Sequence, residues 1–244
     1  MQAFFSPDQM LHTPQQFMRL GRLMPAADLP SRASALQATL RACGVPVHEP
    51  PELGREPLAA VHAPHYLDYL ETAWDRWQAL RRPGVEPGIE VLPNLAPYPA
   101  PQSGLRRRPC PSPSLVAQTG YYLGDLSCPL GAPSWRSILR SAHSAVAAAD
   151  AVIAGAPAAY ALCRPSGHHA HSDRASGFCF VNNNACAAAR LQAHFGRVAV
   201  LDVDAHHGDG TQNIFYDRAE VMTVSTHADP SQYFPFYTGY AEER

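Results

Sequence analysis

The stretch VAVLDVDAHHGDG, residues 198–210, decides how this chain is read. It opens as an apolar run, Val198 to Leu201, without polar alternation. Such a run suits a strand of a parallel sheet covered on both faces. Asp202, Asp204 and His206 then follow at a spacing of two. If the backbone stays extended, the three side chains point to one side. Carboxylates and imidazoles at the carboxyl end of a strand lie where open α/β sheets place their ligands. Asp and His together suit zinc or a similar transition metal. Gly208 and Gly210, with Asp209 between them, let the backbone turn away. The competing reading is a polar turn with solvated histidines. Two Asp and two His within six residues favour a metal site. Only Asp204 and His206 are convincing ligands locally, and a catalytic zinc usually has three protein ligands.

Working outward, polar segments recur after other apolar runs. Residues 159–163 read as a strand leading into Arg164-Pro165-Ser166-Gly167-His168-His169. Residues 221–224 read as a strand leading into Ser225-Thr226-His227. Convergence of such groups at strand ends points to a metal with a general acid/base beside it. Between these strands, 134–153 is Ala-rich and helical, and 183–195 is a second helix. Earlier, 2–5 and 45–48 are short strands, and 33–42 is a helix stopped by Gly44. Residues 58–80 carry Tyr66, Leu67, Tyr69, Leu70, Ala73, Trp74 and Trp77 at helical spacing, the pattern of a core-facing helix. The alternation predicts an α/β domain with a mostly parallel sheet flanked by helices. Residues 81–114 are dense in Pro and Gly, carry Arg106-Arg107-Arg108, and read as a long irregular loop, of the kind that mediates contacts.

The bulk numbers set bounds. A chain of 244 residues suffices for one large α/β domain. A net charge of −2 makes no electrostatic case for nucleic acid or an anionic membrane. No apolar run is long enough to span a bilayer, and residues 1–11 carry no signal-peptide pattern. All 19 basic residues are arginine. The six cysteines form no CxxC pair, which fits a reducing cytoplasm better than a disulfide scaffold.

Three stretches carry a family resemblance: RPSGHHAHSDRASGFCFVNN (164–183), LDVDAHHGDGTQNIFY (201–216) and VHAPHYLDYLETAWDRW (61–77). Together they resemble the histone deacetylase family, most closely its bacterial acetylpolyamine amidohydrolase branch. The resemblance implies the arginase–deacetylase α/β fold over a single domain, residues 1–244. It also implies zinc-dependent hydrolysis of an acetyl amide. Asp204 and His206 resemble the family's zinc ligands, and His168 and His169 its tandem histidines. Asp202 and Asp209 match the acidic residues that orient those histidines. Gly177 and Phe178 match the substrate-tunnel segment, and Phe234 resembles the facing aromatic. Asp202, Ser225 and Thr226 match a structural potassium site. In this reading His169 is general base and then acid, and His168 contributes electrostatics. The substrate is a small acetylated amine or an acetyl-lysine side chain. A homodimer through the 81–114 loop is expected.

Two departures qualify the resemblance. The family's third zinc ligand, an Asp, and its catalytic Tyr have no counterpart in these 244 residues. The expectation is therefore a domain lacking its C-terminal strands. That leaves a gap in the sheet between the strands at 159–163 and 198–201, and little activity from this polypeptide alone. The alternative is a non-catalytic fragment that binds metal weakly or pairs with another chain. Arginase-like chemistry on two manganese ions fits less well, given the tandem histidines and the Phe178 segment. Polyamine deacetylases of the family also carry an acidic residue shortly before a Gly-Tyr-Tyr segment. Here Ser114-Leu115-Val116-Ala117-Gln118 precedes Gly120-Tyr121-Tyr122 without a carboxylate.

Overall fold

A computed structural model describes residues 1–94 and 108–243. Its elements in chain order are β1 (Gln2–Phe4), a 3-10 turn (Pro7–Met10), β2 (Gln16–Arg19), β3 (Arg22–Pro25), α1 (Pro30–Ala42), β4 (Val47–His48), α2 (Glu56–Ala59), α3 (Pro64–Gln78), α4 (Leu115–Tyr122), α5 (Ser134–Ile153), β5 (Ala159–Ala161), α6 (Asn183–Phe195), β6 (Val198–Asp202), α7 (Asp209–Phe215) and β7 (Val221–Ser225). β4, β1 and β5 form one parallel sheet in that order, and β6 and β7 pair in parallel as a second. Among the described residues no ladder joins β5 to β6, the gap expected from the sequence. Among the described residues the named strands form one antiparallel pair, the hairpin β2–β3.

The core forms where the helices cover these strands. The stripe expected between 58 and 80 is the buried face of α3, with Tyr66, Leu67, Tyr69, Leu70 and Ala73 inward. Buried hydroxyls need partners: Tyr66 donates to Phe180 O at 2.6 Å, and Tyr69 to Thr119 Oγ1 at 3.2 Å. α5 packs on β1, β5 and α6, bringing its small residues against their backbones. The Asn182 side chain caps α6 by accepting from Ala185 N, and Gly196 ends it at φ +80°.

One expectation fails. β6 is not covered on both faces. Val198 and Val200 pack against the core, but Leu201 is 65% exposed, and Met222 and Val224 on β7 are exposed as well. The apolar run therefore has one buried and one open face among the described residues. Nor does the chain remain extended past Asp202, where β6 ends in a bend.

A buried arginine ties the amino-terminal segment to the loop after β5. Arg164 Nε reaches Asp28 Oδ1 at 3.0 Å, while its Nη atoms donate to the carbonyls of Gln9, His12 and Asp28 at 2.6–2.9 Å. His12 lies in this cluster, 2.9 Å from Ser134 Oγ through Nδ1, its ring edge-on to Phe180. Burial, with Arg164 adding to it, pushes the His12 pKa down to about 3. The unfolded chain, at the ordinary value of 6.5, binds this proton more readily. Stability linked to His12 is thus present above pH 6.5 and lost as pH falls toward 3. At pH 5 the loss is about 2 kcal/mol. His12→Gln should flatten the fall in urea midpoint between pH 7 and pH 5, and an unchanged slope would refute the assignment.

Candidate active site

The loop after β5 and the bend after β6 meet. Two imidazole–carboxylate pairs form there, each closed by a bond across the two segments. His168 Nδ1 lies 2.8 Å from Asp202 Oδ2, and His169 Nδ1 lies 2.7 Å from Asp209 Oδ1. A carboxylate only accepts, so each ring carries its proton on Nδ1 and turns Nε2 away from its partner. The ring centres of the two histidines are 4.0 Å apart.

The two environments push the pKa values in opposite directions. Burial opposes charge on His168, but the bond and charge of Asp202, with Asp204 and Asp209 beyond, outweigh it, and its pKa is raised. For His169 burial dominates, the His168 and His206 charges add to it, and its pKa is lowered despite Asp209. Neighbouring groups driven apart in this way can divide acid and base roles. Asp209, almost wholly buried, is held below the usual carboxylate range because His171 and His169 offset the desolvation.

Asp204 and His206 also come together, by a route different from the expected strand alternation. Asp204 Oδ1 accepts from His206 N at 2.8 Å in a local turn, and the same oxygen lies 2.9 Å from His206 Nδ1. Zinc bonds of 2.0–2.1 Å at a tetrahedral angle place neighbouring donors about 3.3 Å apart. Here the two are joined by a hydrogen bond, so His206 Nδ1 carries a proton that a shared zinc would have to displace. Among the described residues no third His, Cys, Asp or Glu joins them. The Asp204 side chain is 52% exposed, and the His206 ring stacks on Tyr233 at 4.6 Å.

Aromatic and glycine residues shape the approach. Phe234 stands edge-on to His169 at 4.8 Å. A Cβ on Gly177 would lie 2.3 Å from the His169 ring, and one on Gly208 2.3 Å from Asp202 Oδ2. Both glycines permit approaches that no other residue allows. Phe178 holds a left-handed backbone, φ +66°, uncommon for a bulky side chain. Asp125 over-determines it: its Oδ2 accepts from Ser176 Oγ and Gly177 N, and its Oδ1 from Ser127 N. Ser127 Oγ in turn accepts from Phe178 N at 3.2 Å. Phe178 packs edge-on against Phe17 of β2. Asp125, Ser127, Phe17, Tyr233 and His171 were not anticipated from the sequence. Only His171, inside the HHAHSD run, carried a local signal.

Asp202, Ser225 and Thr226 are adjacent through the β6–β7 register. Asp202 pairs with Ser225, and Thr226 N donates to Asp202 O at 3.0 Å. The side chains of Asp202 and Ser225 are already engaged. Asp202 serves His168 and Asp204 N, and Ser225 Oγ lies 2.9 Å from His227 Nδ1.

Comparison with known proteins follows this geometry. A family model described as the histone deacetylase domain matches residues 26–244. The acetylpolyamine amidohydrolase of Burkholderia pseudomallei (strain 1710b) is 46% identical over 244 residues, covering all of this chain and 68% of that protein. The acetylpolyamine amidohydrolase of Mycoplana ramosa is 39% identical over 245 residues, covering all of this chain and 69% of that protein. A crystal structure of the acetylpolyamine aminohydrolase from Burkholderia pseudomallei superposes with a TM-score of 0.90 at 46% identity, covering all of this chain and 68% of the other. The resemblance read from the three sequence stretches, and the fold it implied, are thereby borne out.

Proposed function

The chain belongs to the histone deacetylase family, and on that premise we propose that it hydrolyses an acetyl amide with zinc bound at Asp204 and His206. By family it is a hydrolytic deacetylase. One observation carries the finer reading: tandem imidazoles, each tied through Nδ1 to its own carboxylate, beside an Asp–His pair in direct contact. Zinc, when bound, supplies Lewis-acid polarisation of a carbonyl oxygen. The chain's own groups do the rest. His169 Nε2 takes a proton from the attacking water and returns it to the departing amine nitrogen. Asp209 keeps that nitrogen free by holding the other. His168, its pKa raised beside Asp202, offers positive charge to the developing oxyanion. Phe178 and Phe234 flank the methylene stem of the substrate, an acetylated polyamine-like amine or an acetyl-lysine side chain. Potassium at Asp202, Ser225 and Thr226 remains a proposal about structure alone, supported by their adjacency, and no chemical step passes through it.

A second reading, a partner-dependent or non-catalytic polypeptide, is favoured by one observation: only two metal donors converge among the described residues. Both readings are tested by acetate release from a monoacetylated diamine and from an acetyl-lysine peptide, with zinc added. The 244-residue chain is assayed alone and extended by the C-terminal third of the Burkholderia relative. Hydroxamate-sensitive turnover by the extended form is expected. Silence from both forms would overturn the enzymatic reading, and full turnover by the chain alone would overturn the second.

We also propose self-association through residues 81–114. The described start of this loop is strapped to the body, with Trp77 Nε1 donating to Gly88 O and Val91 bridging to Leu130. Residues 95–107, including Arg106 and Arg107, lie outside the described residues. Deleting 87–109 is expected to give a monomer by light scattering, and an unchanged oligomer would rule the loop out. The charge of −2 supports neither a nucleic-acid nor a membrane partner. Among the described residues no helix is long and apolar enough to cross a membrane. The six cysteines are unpaired, which suits a reducing compartment such as the cytoplasm.

A further inference from the structure

Asp209 serves two imidazoles. Its Oδ1 meets His169 Nδ1 at 2.7 Å, and its Oδ2 lies 2.8 Å from His171 Nε2. His169, Asp209 and His171 are 4%, 6% and 7% exposed, so water does not stand in for either bond. His171 lies on the same loop as His169, two residues on. Its backbone N donates to Arg174 O at 2.9 Å in a tight turn that keeps the ring over α7.

The tautomer of His171 follows from its partner. A carboxylate cannot donate, so Nε2 must carry the proton. Arg174 Nη2 also stands 3.1 Å from Nε2. It could bond only to the opposite tautomer, which would set a lone pair against Oδ2 at 2.8 Å. Repulsion between a lone pair and an anion at that distance excludes the arrangement. His171 Nδ1 is buried with no hydrogen-bond partner. The bond to Asp209 is thus the main polar tie of the side chain, and an unpaired polar atom is retained beside it.

A carboxylate bonded through one oxygen can still rotate about its χ2 axis, and its plane decides where the bonded oxygen points. We propose that His171 is a positioning residue for proton transfer: by pinning Asp209 Oδ2 it aims Oδ1 at His169 and keeps His169 in the Nδ1–H tautomer, with Nε2 free. This rests on the reading of His169 as the proton-transfer group. It adds a third member to that pair, drawn from the chain's own HHAHSD sequence.

The test is nitrogen-15 NMR of the histidine-labelled protein, free of added metal, at a single neutral pH. The expected wild-type result is His169 as a single Nδ1–H tautomer with a low-field ring proton, and His171 as Nε2–H. His171→Phe and His171→Ala remove the donor, one preserving volume and one not, and should lose that low-field proton and mix the His169 tautomers. His171→Gln keeps an N–H donor and should retain it. The His168–Asp202 proton, unaltered in all three, reports that the loop is folded. In an active form, kcat should fall about tenfold in the Phe and Ala variants, the scale of outer partners of site histidines, with KM unchanged and recovery in the Gln variant. A His171 Nδ1–H tautomer in the wild type, which needs no variant to fold, would overturn the proposal. So would an unchanged His169 spectrum in folded His171→Phe. Absence of acetyl release by the wild type would instead count against the enzymatic reading and leave the NMR result standing.

Discussion

Replacing His169 by alanine is expected to lower acetyl release by about 10²–10⁴-fold while the protein retains its metal. The two halves of that outcome have separate structural grounds. His169 belongs to no metal-capable cluster among the described residues, and its Nδ1 bond to Asp209 Oδ1 at 2.7 Å leaves Nε2 free to take a proton. Its pKa is lowered, chiefly by burial, so the ring is neutral and able to accept a proton near neutral pH. His168 is the wrong group for that task, because its raised pKa keeps it charged more of the time. Asp204 and His206 bond to each other and to neither tandem histidine, so their donors survive the substitution. Turnover of an acetylated fluorogenic amine, measured with elemental analysis on the same preparation, checks both halves. A variant with wild-type turnover would remove His169 from the mechanism. A variant that loses its metal would recast it as part of the binding site.

Asp204→Ala and His206→Ala should each do the reverse, abolishing metal binding and activity together. Each removes one of the two donors that converge after β6, and among the described residues no larger ligand cluster includes them. Asp204 also orders the bend itself, since its Oδ1 accepts from His206 N. Its loss frees the remaining ligand as well as deleting one. Losing the carbonyl polarisation supplied by a bound zinc removes several kcal/mol of transition-state stabilisation, about 10³-fold or more in rate. Stoichiometric zinc in either purified variant, read by elemental analysis after dialysis, would refute the site. The paired measurements separate proton transfer from metal binding without reference to which acetylated amine is the substrate.

The readable parts of the fold were those whose signals are local. α5 and α6 have the ends expected, because an Ala-rich run and an Asn182 cap need no distant partner. The hairpin β2–β3 was not foreseen. Its β3 residues are all exposed, so they show no alternation, and its turn, Leu20 at φ +50° followed by Gly21 at φ +74°, carries the usual Gly at only one of its two positions. α4 was hidden by Val116, Thr119 and Gly120, poor helix formers, after a Pro-rich stretch. The site divides the same way. His168, His169, Asp202, Asp204, His206 and Asp209 lie within two short motifs, and each role was suggested by its neighbours. Asp125 was not, because its value lies in Ser176 and Gly177, some fifty residues on. The open face of β6 was unreadable for a related reason: an apolar run does not say what covers it.

The Arg164 cluster bears on the order in which this protein is made. Gln9, His12 and Asp28 leave the ribosome before Arg164, and the guanidinium that gathers them lies 155, 152 and 136 residues later. At 5–20 residues per second, the delay between Asp28 and its anchor is roughly 7–27 s. Throughout that interval the amino-terminal segment has no Arg164 to close upon. The tandem histidines follow Arg164 by only four and five positions. Their loop therefore acquires its fixed end when this earlier-made segment docks onto a later one. A holding factor or protease that engages the emerging chain meets the amino-terminal segment well before the loop exists.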